Sequence, residues 1–345
     1  MNRFEWTSAG DLAAAARTGS VTVTVADAML MQSGRVGTNA VILKAGGIDL
    51  LDLMKEGLLS PRRVVNLRDI PELGRIVEEP GGALRIGSMI TLAQLADHPL
   101  VRSRYNALAE AAGQSASPQI RQVATIGGNL LQRPRCWYFR SLHHHCVRKG
   151  GEACFAFSGE NQYHAVFGHN GCAIVHPSTA ATALVAFNAM AELVSAQGAR
   201  RVVALETFFL TPDQDIAREN DLKPGEILIA VVLPPSGPGV RSAHLRQGET
   251  DSFDWPIADV AVVIDMDTDG ICRHASVVLG AAAPVPYRAK GAESALAGKR
   301  ISEDTARSAA HAAIAGAAPL SKNAYKLPVF EALVRRIILS AASRV

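Results

Sequence analysis

Two glycine pairs constrain this chain more than any other feature. The first lies in VILKAGGIDLLDLMK, where a short β-branched run at residues 41–45 is broken by Gly46 and Gly47. Helix-forming sequence follows over residues 49–56, with Asp49 placed to cap its start. A turn without side chains lets the backbone approach a phosphate, and the helix start behind it offers N–H groups and the positive end of a dipole. The pair alone reads equally well as a tight turn with no ligand. Its spacing is not G-x-G-x-x-G, so a Rossmann site is not expected. A second pair, in ATIGGNLLQRP, comes about one subdomain later with Thr125 and Asn129 as polar flanks. Two such turns can grip the two phosphates of a dinucleotide from opposite sides.

The strand–glycine–helix outline recurs at residues 84–96, with Gly87 and Ser88 as the turn. Residues 133–172 then lose periodicity and are rich in Arg, His, Gly and Cys, which predicts a long functional loop. An Ala-rich helix is expected at 179–189 and a strand at 227–233. That strand runs into Pro234, Pro235 and a Ser-Gly-Pro-Gly stretch, the best domain boundary in the chain. Antiparallel strands at 258–265 and 275–279 and two Ala-rich helices complete an α+β chain in three parts. At 345 residues it is too long for one core.

With 48% hydrophobic and 19% charged residues, disorder is excluded, and a net charge of +3 speaks against a nucleic-acid binder. No stretch approaches the ~18 uncharged apolar residues of a membrane span, so no membrane insertion is expected. The N-terminus lacks the apolar core of a signal peptide. The expected location is therefore cytoplasmic, or periplasmic by co-export with a partner that carries the signal.

Four cysteines, Cys136, Cys146, Cys154 and Cys172, share the unperiodic window, while Cys272 stands far off. Zinc, an iron–sulfur cluster, disulfides and buried free thiols are all open readings. Zinc sites usually contain C-x₂₋₄-C knuckles, whereas the gaps here are nine, seven and seventeen residues, which suits a larger object wrapped by a loop. Arg133, Arg135, Arg140, Arg148 and Lys149 bring positive charge near these thiols, and cations stabilise an anionic cluster. The run His143, His144 and His145 reads as exposed loop, because adjacent side chains cannot easily share one ion. Asp251, Asp254 and Asp259 around Trp255 are assigned no catalysis and read as a loop and strand beside the bound cofactor. No Ser-His-Asp set or nucleophile elbow is present, so no catalytic residue is assigned.

The pair AGGIDLLDLMK and SPQIRQVATIGGNLLQ resembles the flavin subunit of the xanthine dehydrogenase and carbon monoxide dehydrogenase family of molybdenum hydroxylases. LRIGSMITLAQLA, HPSTAATALVAF and KPGEILIAVVLP match that family in order and spacing, so the resemblance covers nearly the whole chain. It implies a two-part FAD-binding domain of the PCMH/vanillyl-alcohol-oxidase-like type, in subdomains 1–60 and 61–234. A C-terminal α+β domain of the CO dehydrogenase flavoprotein type would follow at 240–345.

The resemblance further implies non-covalent FAD, with Lys44, Ala45, Gly46, Gly47, Ile48, Asp49 and Leu50 on its diphosphate. Thr125, Ile126, Gly127, Gly128 and Asn129 would form the second FAD loop, with Ser117, Ile229 and Arg246 as further contacts. Thr179 falls where the family usually has the Asp of His-Pro-Ser-Asp, so that carboxylate contact is missing. PRCWYF and GCAIVHPS match the flanks of the first and last cysteines that hold a [4Fe–4S] cluster in flavin subunits of bacterial three-subunit aldehyde oxidoreductases and of hydroxybenzoyl-CoA reductases. The implied role is electron transfer from [2Fe–2S] clusters of a small partner, through FAD, to an external acceptor. Substrate oxidation would occur at a molybdenum cofactor in a large partner, within a heterotrimer or its multimer. The rivals are a stand-alone FAD oxidase, for which no base is evident, and a zinc-braced non-redox binding protein.

Overall fold

A computed structural model describes residues 1–19, 22–32 and 39–344 of the chain. Three sheets organise these residues. The first is parallel and contains β1 (Glu5–Ser8), β2 (Val41–Lys44) and β3 (Arg63–Asn66), with β3 in the centre. Glu5 and Val41 both lie opposite Arg63. Parallel neighbours need crossover connections. Here the helices Leu12–Gly19, Val25–Gln32 and Ile48–Lys55 lie in those connections. The sheet extends past residue 60, because its central strand ends at Asn66.

The second sheet is antiparallel, in the order β4-β5-β8-β6-β7. Its strands are β4 (Ile76–Glu78), β5 (Leu84–Gly87), β6 (Met190–Val194), β7 (Arg200–Ala204) and β8 (Ile227–Leu233). The sequence of β8, ILIAVVL, is apolar throughout and almost wholly buried, as a central strand with both faces covered requires. The helices Leu92–Asp97, Asn106–Gly113 and Thr179–Ala186 pack into the same core. A capping box between Thr91 and Gln94 starts the first of these helices. The helix Thr179–Ala186 is buried on all sides, and its small side chains allow close approach. It stops three residues before the expected end, and Asn188 beyond it adopts φ 56°, a left-handed conformation that Asn tolerates.

The third sheet, in the order β12-β11-β10-β9, is an antiparallel meander. It contains β9 (Val240–Gln247), β10 (Ala258–Met266), β11 (Cys272–Gly280) and β12 (Tyr287–Arg288). Helices Lys290–Leu296, Glu303–Ala313 and Lys326–Ser343 share its core. Ala306, Ala309, Ala310 and Ala313 are buried at helical spacing and mark the inward stripe of the middle helix.

Residues 133–172 contain only a helical turn at Trp137–Arg140 and a 3₁₀ turn at Val147–Lys149. This long loop is tied to the C-terminal domain. Asn323 Nδ2 donates to the carbonyls of His164 (3.1 Å) and Ala165 (3.0 Å). Lys326, fully buried, donates to the carbonyls of His164 (3.1 Å) and Ala281 (2.5 Å). Burial lowers the Lys326 ammonium to a pKa of about 7.

Candidate functional site

A cleft of about 700 Å³ opens between the parallel sheet and the second sheet, with both glycine turns in its wall. The volume lies within the ~300–1,000 Å³ range of cofactor pockets. The first turn sits at the carboxyl end of β2, where open parallel sheets usually present their ligands. Gly47 is the N-cap of the helix Ile48–Lys55 with φ 89°, a conformation that glycine adopts without strain. No side chain caps this helix. Asp49 therefore does not play its expected capping part. Its carboxylate instead accepts from the backbone N–H of Arg133 (2.8 Å) and from the guanidinium of Arg140 (2.6 Å), and pairs with Arg135 (2.8 Å). A charge that local sequence assigns to a helix start is thus taken by three arginines far along the chain.

The two turns meet backbone to backbone. A Cβ on Gly46 would lie 2.4 Å from the Val123 carbonyl oxygen, and one on Gly127 would lie 2.8 Å from Ser88 Cβ. In the second turn the amides are already engaged. Ile126 N–H donates to the Ile90 carbonyl (2.8 Å), Gly127 N–H to the Ser88 carbonyl (2.9 Å), and Gly128 N–H to Thr125 Oγ1 (3.2 Å). Asn129 Oδ1 accepts from the Ser178 hydroxyl (2.5 Å). Internal hydrogen bonds hold this second turn in shape.

Of the other expected contacts, Lys44, Ser117, Thr179 and Arg246 line the cleft. Lys44 Nζ reaches Asn66 Oδ1 (3.2 Å) across the strand pair, and its pKa is lowered by burial first and by nearby Arg68 second. Thr179 Oγ1 lies 2.6 Å from Ser115 Oγ and donates to the Ala111 carbonyl (3.2 Å), a neutral anchor where the resemblance implied a carboxylate. Arg246 donates to the carbonyls of Asp254 and Ser252 (2.6 Å each) and so holds the segment that brings Phe253 and Trp255 to the cleft. Ile126 and Ile229 do not line the cleft; both are buried in cores behind it.

The cleft also contains residues that the sequence did not single out as contacts, Arg133, Arg135 and Glu219, and Trp255 from the segment expected beside the cofactor. The Arg135 guanidinium lies 4.7 Å from the centre of the Trp255 ring, joining the second and third parts of the chain. Arg133 and Arg135 drew notice only as cations near the cysteines, and nothing local marks Glu219. His176 stands beside this wall with its ring edge on Phe209 (4.4 Å), and burial lowers its pKa to about 3.

None of the five cysteines forms a disulfide. Cys136, Cys146, Cys154 and Cys172 line one small enclosed cavity together with Phe139, Arg148 and His164. Cys272 lies apart, in the core of the third sheet. Among the described residues no three His, Cys, Asp or Glu side chains gather closely enough to share a single metal ion. His164 Nε2 lies 3.2 Å from Cys136 Sγ, and Arg148 Nε donates to Cys172 Sγ (3.4 Å). Of the five basic residues expected beside the thiols, Arg148 makes that contact. Arg133, Arg135 and Arg140 pair with carboxylates, and Lys149 donates to the carbonyls of Tyr138 (3.2 Å) and Ser141 (2.5 Å). His143 and His145 are exposed, and His144 packs edge-on against Tyr138 and Phe155. Asp259 is buried against His244 (3.2 Å), away from the cleft lining.

A cleft walled by two abutting glycine turns, beside a four-cysteine cavity, defines a dinucleotide-binding module of redox type. Residues 8–236 match the family model described as the FAD binding domain in molybdopterin dehydrogenase, and residues 243–341 match that of the CO dehydrogenase flavoprotein C-terminal domain. The chain belongs to the FAD-binding medium subunits of the xanthine dehydrogenase and carbon monoxide dehydrogenase family, and is an oxidoreductase subunit with that two-domain α+β fold. It is 32% identical over 303 residues to the aldehyde oxidoreductase FAD-binding subunit PaoB of Escherichia coli, covering 87% of this chain and 91% of the relative. It is 28% identical over 315 residues to the carbon monoxide dehydrogenase medium chain of Hydrogenophaga pseudoflava, covering 90% and 92%. A chain in the solved carbon monoxide dehydrogenase of that organism superposes with a TM-score of 0.71 at 27% identity, covering 99% of this chain and 97% of that one. Among the described residues no helix is long and apolar enough to cross a membrane.

Proposed function

We propose that this chain is the electron-transferring flavin subunit of a three-subunit molybdenum hydroxylase that oxidises aldehydes, and that its four clustered cysteines hold a [4Fe–4S] cluster. The observation that carries the reading is the pairing of two cavities across one shared wall. Arg133 and Glu219 face the cleft, and Phe139 and Arg148 face the cysteines. The aldehyde is suggested by the relative at 32% identity, an aldehyde oxidoreductase FAD-binding subunit.

The glycine turns suit FAD, and four thiols around one cavity are the donor set that a cluster would use. The Gly46–Gly47 turn and the uncapped helix behind it would hold the FAD diphosphate, with Thr125 and the Gly127–Gly128 turn closing the opposite side. Ser117, Thr179 and Arg246 would contact the remainder. Bound FAD supplies the conversion between single electrons and electron pairs. The chain's own part is to hold it, to exclude water with the Phe253–Trp255 segment, and to set its surroundings. Four thiols around one cavity, with the Arg148 guanidinium donating to the Cys172 sulfur, would suit a cluster, which nearby cations and N–H donors stabilise. Small [2Fe–2S] and large molybdenum-cofactor partners would complete the reaction, in keeping with the family to which the chain belongs.

The test is co-expression with the two partner subunits under iron-replete, anaerobic conditions. The complex should carry, per copy of this chain, one FAD and about four iron and four sulfide in excess of its [2Fe–2S] content, as a four-thiolate cubane requires. The chain alone should turn over no aldehyde with dye acceptors. Stoichiometric zinc without sulfide in the isolated chain would replace the cluster by the zinc reading. Aldehyde turnover by the isolated, molybdenum-free chain would make it a complete oxidase instead.

A further inference from the structure

The wall between the two cavities contains a continuous chain of buried charge. Arg133 Nη1 lies 2.9 Å from Glu219 Oε2, and Arg148 Nη1 lies 2.7 Å from Glu219 Oε1. Arg148 continues through Nε to Cys172 Sγ at 3.4 Å. All three side chains are at most 5% exposed. Arg133 and Glu219 line the FAD cleft, Arg148 lines the cysteine cavity, and the Arg133 guanidinium lies 4.9 Å from the ring centre of Phe139, itself a wall of that cavity. Among these three side chains, two guanidinium groups and one carboxylate leave one net positive charge, and the other charges acting on Arg133, those of Asp49 and Arg140, are of opposite sign to each other.

A buried charge of that kind is costly unless an anion faces it. Within these three side chains, the buried atoms without partners are Arg133 Nε and Arg148 Nη2. Both belong to side chains that face a cavity. The chain therefore has unspent hydrogen-bonding capacity at its two ends and none in its middle, where Glu219 holds both arginines.

We propose that the Arg133–Glu219–Arg148 chain is a shared electrostatic element that sets the reduction potentials of both redox sites, with Glu219 as the positioning residue. This rests on the proposed FAD and cluster sites. Positive charge stabilises the reduced, more negative form of a centre, and charge interactions inside a dry wall are weakly screened. Neutralising Glu219 adds one positive charge to the wall beside both cavities and makes both centres easier to reduce. Replacing Arg148 by Lys keeps the charge but removes the planar fork and the Nε donor, so its effect is confined to the centre held by the cysteines.

The experiment is redox titration of the assembled complex, read optically for the flavin and by paramagnetic resonance for the cluster, in wild type, Glu219→Gln and Arg148→Lys. Glu219→Gln should shift both centres toward reduction by at least tenfold in the oxidised-to-reduced ratio, about 59 mV for a one-electron step. Adding Arg133→Met to Glu219→Gln restores the net charge and should return both potentials toward wild type. Arg148→Lys, which keeps the buried charge balance if Glu219→Gln does not accumulate, should move the cysteine-held centre toward oxidation and leave the flavin in place. FAD, iron and sulfide are assayed in the same samples. Unchanged potentials in a Glu219→Gln complex that retains FAD and cluster would overturn the proposal, as would a shift of the flavin by Arg148→Lys as large as that of the cluster. Wild-type complex with only the iron and sulfide of its partners would overturn the cluster reading itself, and one end of the chain with it.

Discussion

Gly46 and Gly128 should separate folding from cofactor binding. A methyl at Gly46 would start 2.4 Å from the Val123 carbonyl oxygen and 3.2 Å from the Thr125 amide, all backbone of the opposite turn. Real Cβ contacts do not fall below 3.0 Å, so the turns must part. Overpacking of this kind costs about 1–3 kcal/mol, and with backbone on both sides the upper end applies. At about 2–4 °C per kcal/mol, Gly46→Ala should lower the melting temperature of the FAD-free protein by about 5–10 °C. Gly128 differs. Its methyl would meet Thr125 Oγ1 at 3.2 Å, Ala45 Cβ at 3.8 Å and Gly46 N at 4.0 Å, contacts that a small shift of the Thr125 side chain accommodates. Its position in a helical turn makes Ala up to about 1 kcal/mol better than Gly. Gly128→Ala should therefore leave the FAD-free protein as stable or more so. The same methyl occupies the gap between the two turns, and about 1–3 kcal/mol of lost fit weakens FAD by about 10–100-fold. Differential scanning fluorimetry of FAD-free protein and FAD titration by flavin fluorescence measure the two effects. A Gly128→Ala protein that binds FAD with wild-type affinity would refute the placement of the diphosphate between the turns.

Other outcomes follow from single contacts. Serine at any of Cys136, Cys146, Cys154 or Cys172 should remove the iron and sulfide assigned to this chain, whereas Cys272→Ser should leave them intact and cost about 1–3 kcal/mol for a hydroxyl in an apolar core; iron assay and thermal melts separate the two. His176, lowered by burial to about 3 from 6.5, is neutral when folded. Its contribution is whole above pH 6.5 and is lost at about 1.4 kcal/mol per unit as pH falls toward 3, so His176→Gln should flatten the acid limb of a stability–pH curve. Arg246→Met removes both 2.6 Å bonds to the Asp254 and Ser252 carbonyls and should raise the FAD dissociation rate by up to about tenfold, with little effect on melting; an unchanged rate would remove Arg246 from the site.

Much of this molecule is written in short stretches of sequence. The β2 strand, the Gly46–Gly47 turn and the helix behind it, the central strand β8, and the meander of β10 and β11 depend on propensity and periodicity within a few residues, and those are visible in one sequence. The family followed from the spacing of such segments. What sequence could not reveal is how charges and side-chain directions are spent once the sheets meet. Asp49 reads as a helix cap because its neighbours are helical, yet the arginines of residues 133–140 arrive across the fold and take its carboxylate. Ile126 and Ile229 lie beside the right turn and strand, but the pleat and the helix turn point them into cores. Glu219 carries no local signature. It becomes a junction between two cavities only because the second sheet brings residue 219 against residues 133 and 148, where water is excluded and a buried guanidinium must find a carboxylate. Local propensity decides which elements form. The cost of burying charge, felt only after layers pack, decides which residues face the two cavities and which hold the wall between them.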